Sequence, residues 1–216
     1  RIAATRPELL AGDFAVLMEP TSAAVEGGCQ GTLRFTVTTS GRAAHSARAW
    51  MGHNAIHDAA DVLARLRAHE AEQPEVDGLR YHEGLNAVAI SGGIAGNVIP
   101  DTCTISVNYR FAPHRSVQQA MDYCRAVLPD HELTFVDAAA GARPGLDLPA
   151  AADFVAAVGG QPTAKFGWTD VARFSALGIP AVNFGPGNPS KAHADDEFCP
   201  VVDLFTCRDA LVRWLG

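Results

Sequence analysis

The chain carries two kinds of hydrophobic pattern. Residues 14–18 form a short, continuous apolar run, which is typical of a strand buried on both faces of a parallel sheet. From residue 31 the pattern changes, because Leu33, Phe35 and Val37 alternate with polar residues. A period of two predicts a strand with one polar face. The change of pattern indicates two structural regions of different construction.

The middle of the chain has four predicted strands and two predicted helices. The strands lie at 31–38, 85–91, 103–111 and 133–136. The first helix is predicted from an apolar stripe of Ile56, Ala59, Ala60, Leu63 and Leu66. The second begins with a capping box of Ser116 and Gln119. The order β-α-β-β-α-β is that of the split ferredoxin-like unit, so we predict such a domain over 29–138, with its helices on one face of the sheet.

The segments before and after this predicted domain have a different hydrophobic pattern. After an Ala- and Gly-rich linker at 139–145, the sequence predicts a helix at 150–158, a short strand at 180–184 and a helix at 201–215. We predict that 1–28 and 139–216 together form one α/β domain, which the ferredoxin-like domain interrupts. Residues 1–10 are expected to be the end of a helix closed by Gly12.

The composition and net charge of the chain argue against some classes of binding partner. The 216 residues are 48% hydrophobic and have a formal net charge of −7, which argues against nucleic acid and anionic membranes as partners. No apolar run reaches the roughly 18–20 residues of a membrane span. The five cysteines are scattered and form no CxxC pair, so we expect a cytoplasmic protein. The chain starts with Arg1 inside a helical pattern, and we expect a piece of a longer protein.

Two segments carry candidate chemistry. The predicted strand at 180–184 leads into a loop with two glycines, two prolines, His193 and three carboxylates. Open α/β sheets bind ligands at the carboxyl ends of their strands, and an imidazole there suits a transition metal. Glu19 follows the strand at 14–18 in the same way. For both residues, the alternative is a solvated position in a surface loop.

Five blocks occur together in a fixed order, namely MEPT (18–21), GRAAHSARAWMGHNAI (41–56), GGIAGNVIPD (92–101), NYR (108–110) and AHADDE (192–197). In these blocks the chain resembles the dizinc amidohydrolase family, which includes desuccinylases, acetylornithine deacetylase and the aminoacylases. The likeness extends over the whole chain, and its most specific parts are HSARAWMG and GNVIPD.

The resemblance implies a zinc-peptidase-like α/β catalytic domain, present here in part, that is interrupted by a ferredoxin-like lid through which the protein forms a homodimer. It implies two zinc ions in each complete site, with cobalt as a substitute. Glu19 matches a carboxylate ligand of one zinc, and His193 matches an imidazole ligand of the other. His45 matches a lid histidine that reaches the partner's active site and stabilises the oxyanion. Asn97 and Arg110 match lid residues that hold the substrate's carboxylate.

The family also has a His-x-Asp pair and a Glu-Glu pair, and neither has a counterpart in these residues. The chain is therefore predicted to carry two of five metal ligands and no general base, so that a bridged dizinc site cannot form from it alone. Thr169, Gly187 and Asn188 are further candidates for substrate contact. Alternatively, Thr169 is a helix N-cap. Arg110 suits a substrate carboxylate, and the alternative is a cross-strand salt bridge.

The resemblance implies hydrolysis of N-succinyl-LL-2,6-diaminopimelate to succinate and LL-2,6-diaminopimelate, a step towards lysine and cell-wall precursors. One alternative is another N-acyl amino acid deacylase, such as one acting on acetylornithine. An alternative from a different class is a non-catalytic dimerisation and binding module, because the missing ligands leave these 216 residues without a complete site.

Overall fold

The structure is a computed structural model that describes residues 2–216. Its strands are, in chain order, β1 (Ala15–Leu17), β2 (Glu26–Gly27), β3 (Gly31–Ser40), β4 (Ala44–His45), β5 (Glu75–Val76), β6 (Leu79–Arg80), β7 (Gly84–Gly92), β8 (Val98–Ile99), β9 (Thr102–Phe111), β10 (Leu133–Ala139), β11 (Thr163–Ala164) and β12 (Ala181–Asn183). Its α-helices are α1 (Ile2–Thr5), α2 (Ala55–Ala68), α3 (Val117–Val127), α4 (Pro149–Val158), α5 (Val171–Ala176) and α6 (Val201–Leu215). Short 3₁₀ helices lie at Pro7–Leu10, Ser46–Met51 and Pro189–Lys191.

The chain divides into two compact units. Unit 1 contains the residues up to Gln30, together with Pro74–Tyr81 and Gly141–Gly216, whereas unit 2 contains Gly31–Gln73 and His82–Ala140. The predicted insert at 29–138 includes the β5–β6 hairpin, but in the structure this hairpin belongs to unit 1. The Tyr81 hydroxyl donates to the Gly27 carbonyl oxygen at 2.9 Å, and this buried contact fastens the hairpin to β2.

Unit 2 is built on one antiparallel sheet with the strand order β10-β3-β9-β7. The alternation in the sequence becomes the alternation of burial, since Leu33, Phe35 and Val37 are buried together with Ile105 and Val107 of β9. Helices α2 and α3 cover this face, and their buried residues join the same core. The predicted βαββαβ arrangement is confirmed.

The two helices of unit 2 differ in how well the sequence predicted them. The capping box of α3 is present, with Ser116 and Gln119 bonded to each other's backbone N–H groups. On α2, however, the stripe that faces the sheet is Ala55, Ala59, Val62 and Leu66. Ile56 and Leu63 are instead 40% and 37% exposed, which corrects the predicted stripe. Both stripes have helical spacing, and small alanines allow the helix to approach the sheet closely.

Unit 1 has a mixed sheet with the order β1-β12-β2-β11. Strands β1 and β12 are parallel, and β2 is antiparallel to β12. One face packs against α4 and α6 through an aromatic cluster in which Phe154 lies 5.3 Å from Phe184 and 5.1 Å from Trp214, measured between ring centroids. The other face packs against α5 and Trp168. The predicted α/β domain is therefore present, although its sheet is not purely parallel.

Two details of unit 1 depart from the prediction. Strand β1 was predicted to be buried on both faces, but all three of its residues are only half-buried, because in the described chain it lies at the end of the sheet. The helix expected over 1–10 is divided into α1 and a 3₁₀ helix that begins at Pro7, since proline lacks the N–H that would continue the α-helix. Ala11 rather than Gly12 is the C-cap, and Arg1 lies outside the described residues.

Among residues 2–216, no helix combines the length and the hydrophobicity that a membrane crossing requires.

Candidate functional site

Glu19 and the loop that carries His193 leave the sheet of unit 1 at the same edge. Leu17 at the end of β1 is paired with Asn183 at the end of β12, and the Phe184 N–H donates to the Leu17 carbonyl oxygen at 2.8 Å. A Cβ at Gly185 would lie 2.5 Å from the Glu19 carbonyl oxygen, so this approach requires glycine. The carboxyl ends of adjacent parallel strands are a usual place for ligands.

The turn after Glu19 is strained and tightly bonded. Ser22 and Ala23 have φ values of 53° and 57°, a left-handed conformation that costs a non-glycine residue about 1–2 kcal/mol. Thr21 fixes the turn, because its Oγ1 donates to the Ala24 carbonyl oxygen at 2.6 Å and accepts from the Gly185 N–H at 3.0 Å. Backbone strain of this kind concentrates at functional sites. This role of Thr21 is not evident from the residues around it in sequence.

His193 itself has a left-handed backbone, with φ 66°. Its N–H donates to the Glu197 carboxylate at 3.1 Å, and Lys191 forms an ion pair with Asp196. The acidic run therefore holds the shape of the loop: Glu197 bonds to the backbone of His193 rather than to its imidazole. The His193 ring is exposed, and ligation of a metal by it stays a prediction.

Gly187 and Asn188 shape the start of this loop. The Gly187 N–H donates to Asp203 Oδ2 at 3.1 Å, and its φ of 92° favours glycine. Asn188 Oδ1 accepts from the Ser190 N–H at 2.9 Å and from the Ser190 hydroxyl at 2.8 Å. Both residues thus have local structural roles, and their contact with substrate stays a prediction.

Thr169 is 6% exposed, and its side chain does not cap α5. The N-cap of α5 is Asp170, which makes no side-chain cap bond. Thr169 Oγ1 is buried and has no hydrogen-bond partner within residues 2–216. A buried hydroxyl without a partner is costly, so the side chain remains available to a ligand or a water. The N-cap alternative is not what the structure shows, and substrate contact stays a prediction.

Three more polar side chains are buried under the same edge of the sheet. Asn183 is 0% exposed, and its amide donates to the Gly28 carbonyl oxygen at 3.0 Å. Lys165 Nζ lies 2.7 Å from Glu26 Oε2. None of these three residues is predicted as a site residue from the sequence. A lysine directly after a short β-run was the available signal, although such a lysine is usually at the surface.

In unit 2, the structure brings His45 and Asn97 together. Strands β4 and β8 pair His45 with Val98, and the Ser46 N–H donates to the Asn97 carbonyl oxygen at 2.9 Å. His45 Nδ1 accepts from the Ala47 N–H at 3.1 Å. The neutral ring therefore carries its proton on Nε2 and presents a donor there. His45 lines an open pocket of about 660 Å³ with Arg42 and Arg48.

Arg110 lies on the face of the unit 2 sheet that the helices do not cover. It is half-buried on β9, opposite Thr32. Within the described chain it forms no ion pair, so the cross-strand salt bridge considered above is not present. A half-buried guanidinium without an anionic partner suits a carboxylate ligand, and that role stays a prediction.

The residues present fit zinc in donor type but not in number. Glu19 and His193 offer a carboxylate and an imidazole, both exposed, and zinc accepts both. However, no group of three or more His, Cys, Asp or Glu side chains in residues 2–216 is arranged to hold a metal. Catalytic zinc sites use three protein ligands, so these residues supply part of a site.

The sequence comparisons identify close relatives. The chain is 52% identical to a putative succinyl-diaminopimelate desuccinylase from Mycobacterium tuberculosis, an alignment that covers 100% of this chain and 62% of that protein. It is 46% identical to succinyl-diaminopimelate desuccinylase from Corynebacterium glutamicum, over 97% of this chain and 58% of that protein. The chain thus spans about three-fifths of the length of the curated relatives it matches.

Solved structures share the fold. One is an M20 family metallo-carboxypeptidase from Sulfolobus solfataricus, with a TM-score of 0.72 and 15% identity, covering 99% of this chain and 65% of that chain. Another is a tripeptidase from Staphylococcus aureus, with a TM-score of 0.72 and 18% identity, covering 97% and 58% of the respective chains. Residues 28–135 match the peptidase dimerisation domain of the M20 family. Because the match to this family takes in half of the sequence, the chain belongs to the M20 peptidase dimerisation domain family.

Proposed function

We propose that this chain forms part of a metal-dependent amidohydrolase that cleaves N-succinyl-LL-2,6-diaminopimelate into succinate and LL-2,6-diaminopimelate. The proposed substrate rests on the 52% identity of the whole chain to a putative succinyl-diaminopimelate desuccinylase. The parallel pairing of β1 with β12, which sends Glu19 and the His193 loop from one edge, supports the proposal of a metal site. The scattered cysteines of the sequence support a cytoplasmic location, which we propose as well.

Each candidate residue has a defined task in this reaction. Glu19 and His193 would hold metal in the complete site, where zinc would polarise the amide carbonyl and ionise a water. His45 of one subunit donates its Nε2–H to the oxyanion that forms on the carbonyl oxygen of the substrate in the other subunit's site. The Arg110 guanidinium and the Asn97 amide bind a carboxylate of the substrate, while Thr169, Gly187 and Asn188 contact the substrate near the metal.

The reaction is tested by assaying the full-length protein with N-succinyl-LL-2,6-diaminopimelate and with N-acetylornithine in parallel. We expect turnover of the succinyl substrate, loss of activity after chelation and recovery on addition of zinc. A preference for N-acetylornithine would establish the alternative deacylase. Turnover that survives complete removal of metal would rule out the zinc proposal.

The metal ligand is tested by Glu19→Ala, with Asp153→Ala as a matched control because Asp153 is an exposed carboxylate on α4. Removing a residue that orients a metal ligand lowers metal affinity or activity about 10–100-fold. Removing the ligand itself should therefore lower kcat/KM by more than about 100-fold. The Asp153 variant should keep normal kinetics. Equal effects of the two substitutions would remove Glu19 from the site.

We also propose that unit 2 mediates a homodimer. Strand β7 is the last strand of its sheet in the described chain, and it exposes Val88 at 62% and Ile90 at 51%. Ile56 of α2 continues this apolar surface, because a Cβ on Gly92 would lie 3.1 Å from the Ile56 side chain. An open strand edge next to exposed apolar residues is a typical pairing surface. Light scattering with Ile90→Arg tests it, since a charge there should yield monomers.

A non-catalytic dimerisation and binding module is the second candidate. It is supported for these 216 residues by themselves because no three potential metal ligands lie together in residues 2–216. Measuring the zinc stoichiometry of the isolated chain separates the two cases. Two tightly held zinc ions would contradict an incomplete site, whereas a dimer without tightly held zinc would support the module.

A further inference from the structure

Lys165 is a charged residue that the reaction described above does not use. It follows β11 directly and is 8% exposed. An ammonium group loses hydration when it is buried, so it is retained in such a place only with close, well-placed partners. The identity of those partners indicates what the lysine does.

The first partner is Glu26 on β2, whose Oε2 lies 2.7 Å from Lys165 Nζ. Both side chains are largely buried, at 10% and 14% exposure. Glu26 is itself fixed by the sheet, because it is paired with Asn183 of β12 and with Thr163 of β11. The pair is therefore built on three neighbouring strands, and the ammonium has little freedom to move.

The second partner is the carbonyl oxygen of Pro20, which accepts from Lys165 Nζ at 3.1 Å. This carbonyl belongs to the residue that follows Glu19 in the chain. On the other side of Glu19, the close approach of Gly185 holds the backbone. The next residues, Ser22 and Ala23, are in the left-handed conformation, and their N–H groups donate to the Gly187 and Gly185 carbonyl oxygens at 2.7 and 2.9 Å. Contacts from distant segments therefore hold the turn in a strained shape, and the bond from Lys165 holds the residue next to Glu19.

We propose that Lys165 is a positioning residue for Glu19. Its ammonium, held by Glu26, fixes the Pro20 carbonyl and thereby sets the place from which the Glu19 carboxylate reaches the metal. This inference rests on the proposed function, because it takes Glu19 to be a metal ligand. Lys165 touches neither metal nor substrate in this account and acts through the backbone of the turn.

The test measures zinc affinity in the full-length protein by competition with a chromophoric chelator. Thermal unfolding of the metal-free protein is measured separately, so that bound metal does not contribute to the melting temperature. Lys165→Met should weaken zinc binding by about 10–100-fold, the range for partners that orient a metal ligand. It should also lower the melting temperature, because it leaves Glu26 buried without a counter-charge.

The double variant Lys165→Met/Glu26→Gln separates positioning from stability. It removes the unpaired carboxylate, so the melting temperature should recover, but it does not restore the bond to Pro20, so zinc affinity should stay low. Recovery of zinc affinity together with stability would overturn the proposal, as would unchanged affinity in Lys165→Met. If Lys165→Met does not fold, the zinc affinity of the double variant decides alone.

Two further variants complete the design. Phe154→Leu should lower the stability of unit 1 through its aromatic cluster, which does not include Lys165, and should leave zinc affinity unchanged. Glu19→Ala tests the proposed metal ligand separately from the proposed positioning role of Lys165. If Glu19→Ala does not weaken zinc binding, the proposed metal ligand is wrong; if it does and both Lys165 variants bind zinc normally, only the positioning role is wrong.

Discussion

The two units differ in the length of their strands and in the side chains that they bury. In unit 2, β3 and β9 are ten residues long and are paired residue for residue from Gly31 opposite Phe111 to Ser40 opposite Thr102. In unit 1, the strands are two or three residues long, and the buried residues include polar ones. These are Thr21, Gln30, Lys165, Thr169 and Asn183. Unit 2 also buries Thr39 and Glu83, but its core is mostly apolar, whereas unit 1 depends more on specific hydrogen bonds.

The two units also differ in how their buried polar groups are hydrogen-bonded. Glu83 of unit 2 is 5% exposed, and it accepts from the Tyr109 hydroxyl, from the Ala112 N–H at 2.8 Å and from Arg115 Nε at 3.4 Å. In unit 1, Thr169 Oγ1 and Asn183 Oδ1 have no hydrogen-bond partner in the described chain, and Glu26 Oε2 has its ion pair with Lys165 but no hydrogen bond of good geometry. Satisfied networks stabilise a fold, while unsatisfied groups close to a candidate site are open to ligands or waters.

The largest expected effect is in the apolar core of unit 2. Phe35→Ala should lower the free energy of unfolding by about 3–5 kcal/mol, because Phe35 is 1% exposed and packs against Phe135. Urea unfolding with hydrogen exchange should show the loss in β3 and β9. Val136→Ala, at a side chain that is 65% exposed, should change stability by less than about 0.5 kcal/mol. A loss below about 1 kcal/mol for Phe35→Ala would mean that apolar packing does not dominate unit 2.

A smaller effect is expected from a single methyl group in unit 1. Gly185→Ala places a Cβ 2.5 Å from the Glu19 carbonyl oxygen and 2.7 Å from that of Met18. These are backbone atoms, so the β1 end must shift, at a cost of about 1–3 kcal/mol. Trp214, which lies in the unit 1 aromatic cluster, reports the unfolding by fluorescence.

Gly12→Ala is the control for this substitution, because a Cβ there meets its nearest atom at 3.9 Å. It should leave both stability and zinc binding unchanged. If Gly185→Ala is as harmless as Gly12→Ala, the edge of the unit 1 sheet is more adaptable than its close contacts indicate.

The smallest effect is a difference in alkaline stability. Burial, followed by the bond to Glu83, raises the pKa of Tyr109, so the hydroxyl stays protonated in the folded state when it ionises in the unfolded state. The contribution of Tyr109 to stability is therefore fully present below pH about 10 and is lost as pH rises, at about 1.4 kcal/mol per pH unit. Tyr109→Phe should remove this slope from the unfolding of unit 2, as followed by hydrogen exchange.

Tyr81→Phe is the matched variant in unit 1, since burial also raises the pKa of Tyr81. It should flatten the alkaline loss in unit 1 and leave unit 2 unchanged. A slope that persists after both substitutions would assign the alkaline sensitivity to other groups.

The candidate site shows where sequence reasoning reached its limit. Glu19, His193, His45, Asn97 and Arg110 could be named because they lie in blocks typical of a family. The supporting groups could not be named, because Thr21, Lys165 and Asn183 acquire their roles from residues far away in sequence. Lys165 and Pro20, for example, are 145 positions apart, and no local pattern records that contact.

The sequence by itself determined the elements whose hydrophobic residues recur at a regular spacing. The alternation along β3 and β9, the capping box of α3 and the extent of α6 follow from local preferences and hydrophobic spacing. Only the tertiary structure decided which stripe of α2 faces the sheet, why the β5–β6 hairpin joins unit 1, and how Lys165 supports the turn after Glu19. The physical reason is that periodicity reports burial on one face of an element, whereas the choice between faces and the pairing of buried polar groups depend on contacts between distant segments.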